Sequence, residues 1–431
     1  MLRKKLAELI IGRESKNPER QNILWNMAGS FLYAFASMLL TIAVVQIAGE
    51  DAGGIFTFAF TTFGQHLFMM AYFGIRPFQI TDTEKKYTFG EYQGLRFYTC
   101  AAAILVGLIY SFSGGFSAEK GAVIFLMVVY KVTDALADTY EAEFQRSGRL
   151  YLTGKSNAFR TILSVAVFLS VLSATKQLVI ASVWAAAAQI AGFFIMDVLV
   201  IRELTNIDWT VRAGKRFRLF KDNSLLFLSA VLDFYIFSAS KYAIEHCMAD
   251  RDMAVYGAIF MPTSVINLVA GFVIRPYLTK LSLEWEMGRT GRFVRLAGRL
   301  AGVISVLSVL AVGGAYIIGI PVLSLLYPNL KYMLKDCRTA LVLIILGGAL
   351  NAYMSLFYYA LIIMKKQKYI FSVYGLVGIT AILISDPFVM RGGITGGAMA
   401  YVLLTAMLMV CFGVIGAFGI REKAEKRKHE N

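Results

Sequence analysis

Apolar and polar positions fall in long blocks along this chain. Apolar stretches recur at about 22–48, 53–75, 95–113, 120–141, 157–174, 178–201, 221–246, 253–275, 296–320, 337–363, 369–386 and 394–419. A helix crosses the hydrocarbon of a bilayer in about 20 residues. Its backbone finds no water there, so only a structure that satisfies its own hydrogen bonds can span. The pattern predicts an all-α membrane protein with about twelve transmembrane helices. Ahead of them, Leu2, Leu6, Leu9 and Ile10 repeat at helical spacing among Arg3, Lys4 and Lys5. This segment has no long apolar core, so it reads as an amphipathic helix on the inner leaflet and not as a cleavable signal peptide.

One predicted span breaks the apolar rule. On a 3.6-residue helix, Lys131, Asp134, Asp138, Glu141 and Gln145 fall within an arc of roughly 80°. A charge in hydrocarbon costs about 2.5–3.5 kcal/mol on insertion scales. The stripe is therefore expected to face protein or a water-filled space. The alternative is that the helix ends early and leaves Asp138 to Gln145 in cytosolic water.

Composition agrees with the pattern. Of 431 residues, 58% are hydrophobic and 16% charged, with mean hydropathy +0.62; soluble proteins carry about 25% charged residues. The net charge of +15 would suit a nucleic-acid partner, but position excludes it. With both termini cytoplasmic, most of the Lys and Arg fall in the inner segments, Arg96 and Arg160 among them, and few in the outer ones. A bacterial inner membrane is the expected location. The chain shows no P-loop, HExxH or CxxC pattern, so no cofactor, metal site or enzymatic centre is expected. A disulfide between Cys247 and Cys337, both near the outer surface, is not demanded by their spacing.

The chain repeats itself. Gly74-Ile75-Arg76-Pro77-Phe78 closes the second span and Val273-Ile274-Arg275-Pro276-Tyr277 the eighth, 199 residues later. Equal span counts on either side predict a parallel repeat about an axis along the membrane normal. The expected division is a basic cytoplasmic segment at 1–21, a six-helix bundle at 22–205, a linker at 206–220, a second bundle at 221–419 and a basic tail at 420–431.

Several stretches resemble the polysaccharide flippases of the multidrug/oligosaccharidyl-lipid/polysaccharide exporter superfamily. They are Asn22 to Trp25, Gly53-Gly54-Ile55-Phe56, Gly74-Ile75-Arg76, Tyr87 to Arg96, Leu325-Leu326-Tyr327-Pro328 with Lys331-Tyr332, and Lys365-Lys366-Gln367-Lys368. The resemblance implies two six-helix bundles in pseudo-two-fold relation, a central cavity and alternating access. It also implies a substrate, an oligosaccharide on undecaprenyl diphosphate turned from inner to outer leaflet, with glycan-assembly enzymes and membrane lipids as partners.

Moving an anionic headgroup through hydrocarbon without partners is prohibitive. Lys131 and Lys241 inside spans, and Arg76 and Arg275 at the inner mouth, are the candidate substrate contacts, since Lys and Arg meet phosphate oxygens directly. Arg76 and Arg275 also suit plain lipid-phosphate anchoring, and Lys241 can be neutralised by Glu245 at i,i+4. Asp134, Asp138 and Asp233 are the candidate ion-coupling groups, binding H+ or Na+; Asp134 also suits pairing with Lys131. Asp197, beside Arg202, is expected at the inner interface. Asn267 and Asn351 are expected to bond across helices. Two other functions compete. A cation-coupled multidrug exporter of the same superfamily would favour acidic and aromatic residues over Lys131 and Lys241. A membrane glycosyltransferase or polymerase usually carries a sizeable outer loop, whereas the longest outer segment here is about 321–336.

Overall fold

The computed structural model of the chain describes residues 2–12, 17–82, 85–204 and 207–430; Arg13 and Lys16 of the basic segment lie outside them. All elements among the described residues are helical. The chain forms two compact units, Met1–Val231 and Leu232–Asn431. Unit 1 holds α1 (Leu2–Ile11), α2 (Pro18–Ala48), α3 (Glu50–Thr57), a π-turn (Phe58–Phe63), α4 (Gly64–Tyr72) and α5 (Ile75–Thr81). It continues with α6 (Phe89–Ser113), α7 (Ala118–Arg146), α8 (Leu150–Thr175), α9 (Leu178–Phe193), a π-turn (Phe194–Val198) and α10 (Leu199–Ile201). Helix α11 (Ala213–Cys247) passes from unit 1 into unit 2. Unit 2 adds α12 (Asp250–Phe260), α13 (Pro262–Ile274), a 3-10 turn (Arg275–Tyr277), α14 (Leu278–Glu286) and α15 (Thr290–Gly314). After α16 (Ile320–Leu326) and the short α17 (Lys331–Leu334) come α18 (Arg338–Ile363) and α19 (Gln367–Glu430).

Nine helical stretches among the described residues are long and apolar enough to cross a membrane. The sequence pattern reaches about twelve for three reasons. The second span is divided among α3, the π-turn and α4; α7 is too charged to qualify; and α19 is two spans joined at a break. That break is Gly393, with φ 54° and ψ −137°, a backbone conformation that side chains oppose. Gly393→Ala is expected to destabilise unit 2 by about 1–3 kcal/mol. The check is the thermal unfolding midpoint of the detergent-purified protein; an unchanged midpoint would mean the join tolerates another geometry.

Local sequence explains where helices start. Asn17 accepts a hydrogen bond from Arg20 N at 3.2 Å, and Pro18 follows at the first helical position of α2. Thr88 and Glu91 form a reciprocal capping box on α6. The carbonyl end of α1 is satisfied by α8. Lys155 Nζ donates to Ile10 O at 2.7 Å, and Tyr151 donates to Ile11 O at 3.1 Å. Helices α2 and α8 cross at glycine. A Cβ on Gly154 would overlap the Trp25 carbonyl, and one on Gly29 would overlap Gly154 O. In a membrane, such close backbone approach is a main source of helix association.

The π-turn also accounts for a detail of the repeat. Ile75 and Arg76 match Ile274 and Arg275 at an offset of 199, but Phe56 and Phe60 match Tyr256 and Phe260 at 200. A π-turn inserts one extra residue into a helix. The one at Phe58–Phe63 contains Phe60 and precedes Ile75, so it overlaps the stretch over which the register changes. In unit 2, Asn351 donates to Asn267 at 2.9 Å, the bond across helices that their polarity predicts. All four cysteines are free.

Candidate functional site

Helix α7 stays helical to Arg146, so the early-ending alternative fails. Its charged stripe is buried: Lys131 is 2% exposed, Asp134 7%, Asp138 8% and Glu141 3%. The surrounding helices of unit 1 each bring a partner to it.

Arg160 of α8 is the hub. Its Nη1 meets Asp134 Oδ1 at 2.8 Å and its Nη2 meets Glu141 Oε1 at 2.5 Å. Its Nε lies 3.5 Å from Asp197 Oδ2. Ser156 donates to the same Asp197 carboxylate at 2.8 and 2.9 Å. Gln189 of α9 donates to Asp134 Oδ1 at 2.5 Å. Arg76 of α5 joins from another side, donating to Asp138 at 2.7 Å, Glu141 at 3.3 Å and Gln145 at 3.2 Å. Arg96 of α6 is wholly buried and donates to Asp138 Oδ2 at 3.0 Å, Thr139 at 2.7 Å and the Ala71 carbonyl at 2.6 Å. The cluster sets Asp134, Asp138, Glu141 and Asp197 against Arg76, Arg96, Arg160 and Lys131. When all are ionised the charges balance, which is what tolerates them out of water.

Lys131 is bound differently from the arginines. Its ammonium lies 3.9 Å from the Phe60 ring centroid and donates to the Tyr33 hydroxyl at 3.2 Å. A cation above a phenyl face is held by the ring quadrupole.

Of the residues singled out from sequence, Lys131, Asp134, Asp138 and Arg76 thus join one connected network. Three others belonging to it are not recognised as network members in the sequence reading. Arg96 and Arg160 are assigned there to inner loops, and Asp197 to the inner interface, yet all three are buried. The predicted spans begin at 95 and 157, about two turns too late to show these arginines as helix-interior residues. Tyr33 and Gln189 are unremarked in the sequence because neither carries charge.

The unit 2 candidates are more dispersed. Lys241 of α11 is buried with its ammonium 4.1 Å from the Phe260 centroid and 5.6 Å from that of Phe237. Asp233, eight residues earlier and so about 12 Å along the helix, is half-buried and hydrogen-bonded by Tyr374. Arg275 stands exposed on the 3-10 turn after α13, unlike its repeat counterpart Arg76.

The sequence matches no protein-family model and no curated protein. Its structure does have relatives. The crystal structure of a eukaryotic MATE transporter is similar to 94% of this chain over 99% of its own length, with a TM-score of 0.63 at 12% identity. The fold is that of the MATE transporters. A mutant of the Vibrio cholerae MATE transporter VcmN covers 97% of this chain and 98% of its own, at 0.61 and 14% identity. An inward-facing multidrug resistance MATE family transporter of the MOP superfamily covers 98% of both chains, at 0.59 and 12%. Near-complete coverage in both directions means that the MATE-type fold extends over both units. Solved members of the expected superfamily share this fold, and the three above are MATE transporters, not polysaccharide flippases.

Proposed function

We propose that the protein is a multi-pass membrane exporter that works by alternating access and is coupled to H+ or Na+. Asp134, Asp138 and Asp233 are its cation-binding groups. The observation that carries this reading is the buried, charge-balanced network of unit 1 in a MATE-type fold. Ionisable groups in membrane helices are costly and mark ion or substrate pathways. In a network at balance, one added cation changes which carboxylate each arginine holds, and so can bias one conformation over another. Solved inward-facing and outward-facing conformations of a MATE family transporter both match, each with a TM-score of 0.59, which supports a two-state cycle.

Organic compounds of the multidrug class are the better-supported substrates. Arg76, proposed as a diphosphate contact, is engaged by Asp138, Glu141 and Gln145, and Lys131 by Tyr33 and Phe60. The network therefore holds no surplus positive charge for a diphosphate. Flipping of a lipid-diphosphate-linked oligosaccharide is the second reading. It is favoured by the exposed Arg275 and by Lys241, which rests on phenyl rings. The distribution of Lys and Arg supports insertion with both termini in the cytoplasm, and a bacterial cell membrane is the proposed location.

In proteoliposomes, an imposed H+ or Na+ gradient is expected to drive efflux of ethidium, and Asp134→Asn to abolish the gradient-driven part. Gradient-insensitive ethidium flux combined with translocation of a fluorescent lipid-diphosphate sugar would reject the exporter reading in favour of the flippase.

A further inference from the structure

The three arginines of the unit 1 network hold their protons at any working pH. Lys131 is the one cation of that cluster able to hand a proton on, and the structure provides an acceptor line. Its ammonium donates to the Tyr33 hydroxyl at 3.2 Å, and that hydroxyl donates to Asp134 Oδ2 at 3.3 Å. The other Asp134 oxygen takes the bonds from Arg160 and Gln189. Among the described residues Lys131 makes no ion pair, so Tyr33 is its link to a carboxylate.

We propose that Lys131, Tyr33 and Asp134 form a proton relay within unit 1. The ammonium gives a proton to the Tyr33 oxygen while Tyr33 passes its own to Asp134 Oδ2. The products are a neutral amine and a carboxylic acid; the tyrosine is regenerated and net charge is unchanged. Groups from several neighbouring elements face the relay. Helix α2 supplies Tyr33, and the π-turn supplies Phe60. A Cβ added to Gly64 of α4 would touch the lysine stem. Helix α7 adds Tyr130, bonded to Ser164 of α8 at 2.8 Å. Arg160 and Gln189 face Asp134 from α8 and α9. Neutralising Asp134 weakens its hold on one arm of Arg160, whose other carboxylate partners are Glu141 and Asp197. Because Glu141 also binds Arg76, a proton on Asp134 reaches α5, α8 and α9 together. This inference rests on the ion-coupled reading and assigns the coupling proton a route.

Tyr33→Phe keeps the ring beside Lys131 and removes only the hydroxyl, so it separates the relay from packing. The experiment is pH-difference infrared spectroscopy on the purified full-length chain in detergent, with thermal melts as the control for folding. The wild type is expected to show a carboxylic acid C=O band that vanishes in Asp134→Asn. The relay requires that the band also be lost in Tyr33→Phe and in Lys131→Met. Survival of the band in either folded variant, or its absence from the wild type, overturns the relay. Ethidium efflux from proteoliposomes made with the same preparations tells the two failures apart. Gradient-driven efflux with a surviving band rejects the relay alone. A relay band without gradient-driven transport rejects the exporter reading and leaves the relay in place.

Discussion

Arg160→Met is expected to leave little folded protein. The substitution removes the cation shared by Asp134, Glu141 and Asp197 and leaves the α8 side of the network acidic and dry. Breaking a buried pair by deleting one partner costs about 3–5 kcal/mol, because the remaining charge has lost both water and counterion. Folded proteins are stable by only about 5–15 kcal/mol. The yield of monodisperse protein on size exclusion and the unfolding midpoint in denaturant are the measurements. Adding Asp197→Asn to Arg160→Met should recover part of the loss, since it deletes one of the orphaned charges. The rescue separates an electrostatic cause from lost packing. A single variant as stable as the wild type would mean that these carboxylates are neutral without Arg160.

The second large effect is steric. Gly154→Leu places a branched side chain where α8 touches the backbone of α2. Even its Cβ overlaps the Trp25 carbonyl, which cannot swing aside as a flexible side chain could. The helices must separate, and the hydrogen bonds beside the crossing go with them. Asn22 Nδ2 donates to the Gly148 carbonyl at 3.0 Å, and Tyr151 N donates to Asn22 Oδ1 at 2.8 Å. Overpacking a closed core costs about 1–3 kcal/mol when side chains can adjust. Here backbone meets backbone, so the loss is expected at or above the top of that range. Unfolding midpoints should fall in the order wild type, Gly154→Ala, Gly154→Leu. A stable Gly154→Leu protein would show that the close approach of α2 and α8 is dispensable.

The buried charge cluster was partly legible before the fold was known. The stripe on α7 could be read because helical periodicity is a local property and the cost of charge in hydrocarbon is large. Four of its members do turn inward and find partners. Those partners were harder to see. Arg96 and Arg160 sit two to three turns inside their helices, but near the ends of the apolar stretches, where a hydropathy reading treats a charged residue as belonging to water. Asp197 looked interfacial for the same reason. Lys241 and Asp233 were visible as isolated charges in a span, but their aromatic surroundings, Phe260 and Tyr374, come from other helices.

By itself, the amino-acid order determined a polytopic helical membrane protein, the approximate number and limits of its spans, and its internal repeat. These follow from hydropathy and periodicity, which act between neighbours in the chain. The folded structure alone decided which charges neutralise which, that Lys131 reaches Asp134 through Tyr33, and that a π-turn shifts the register of the repeat. Ion pairing and helix crossing depend on separation in space. Arg96, Asp134, Arg160 and Asp197 come close only when four helices of unit 1 have packed.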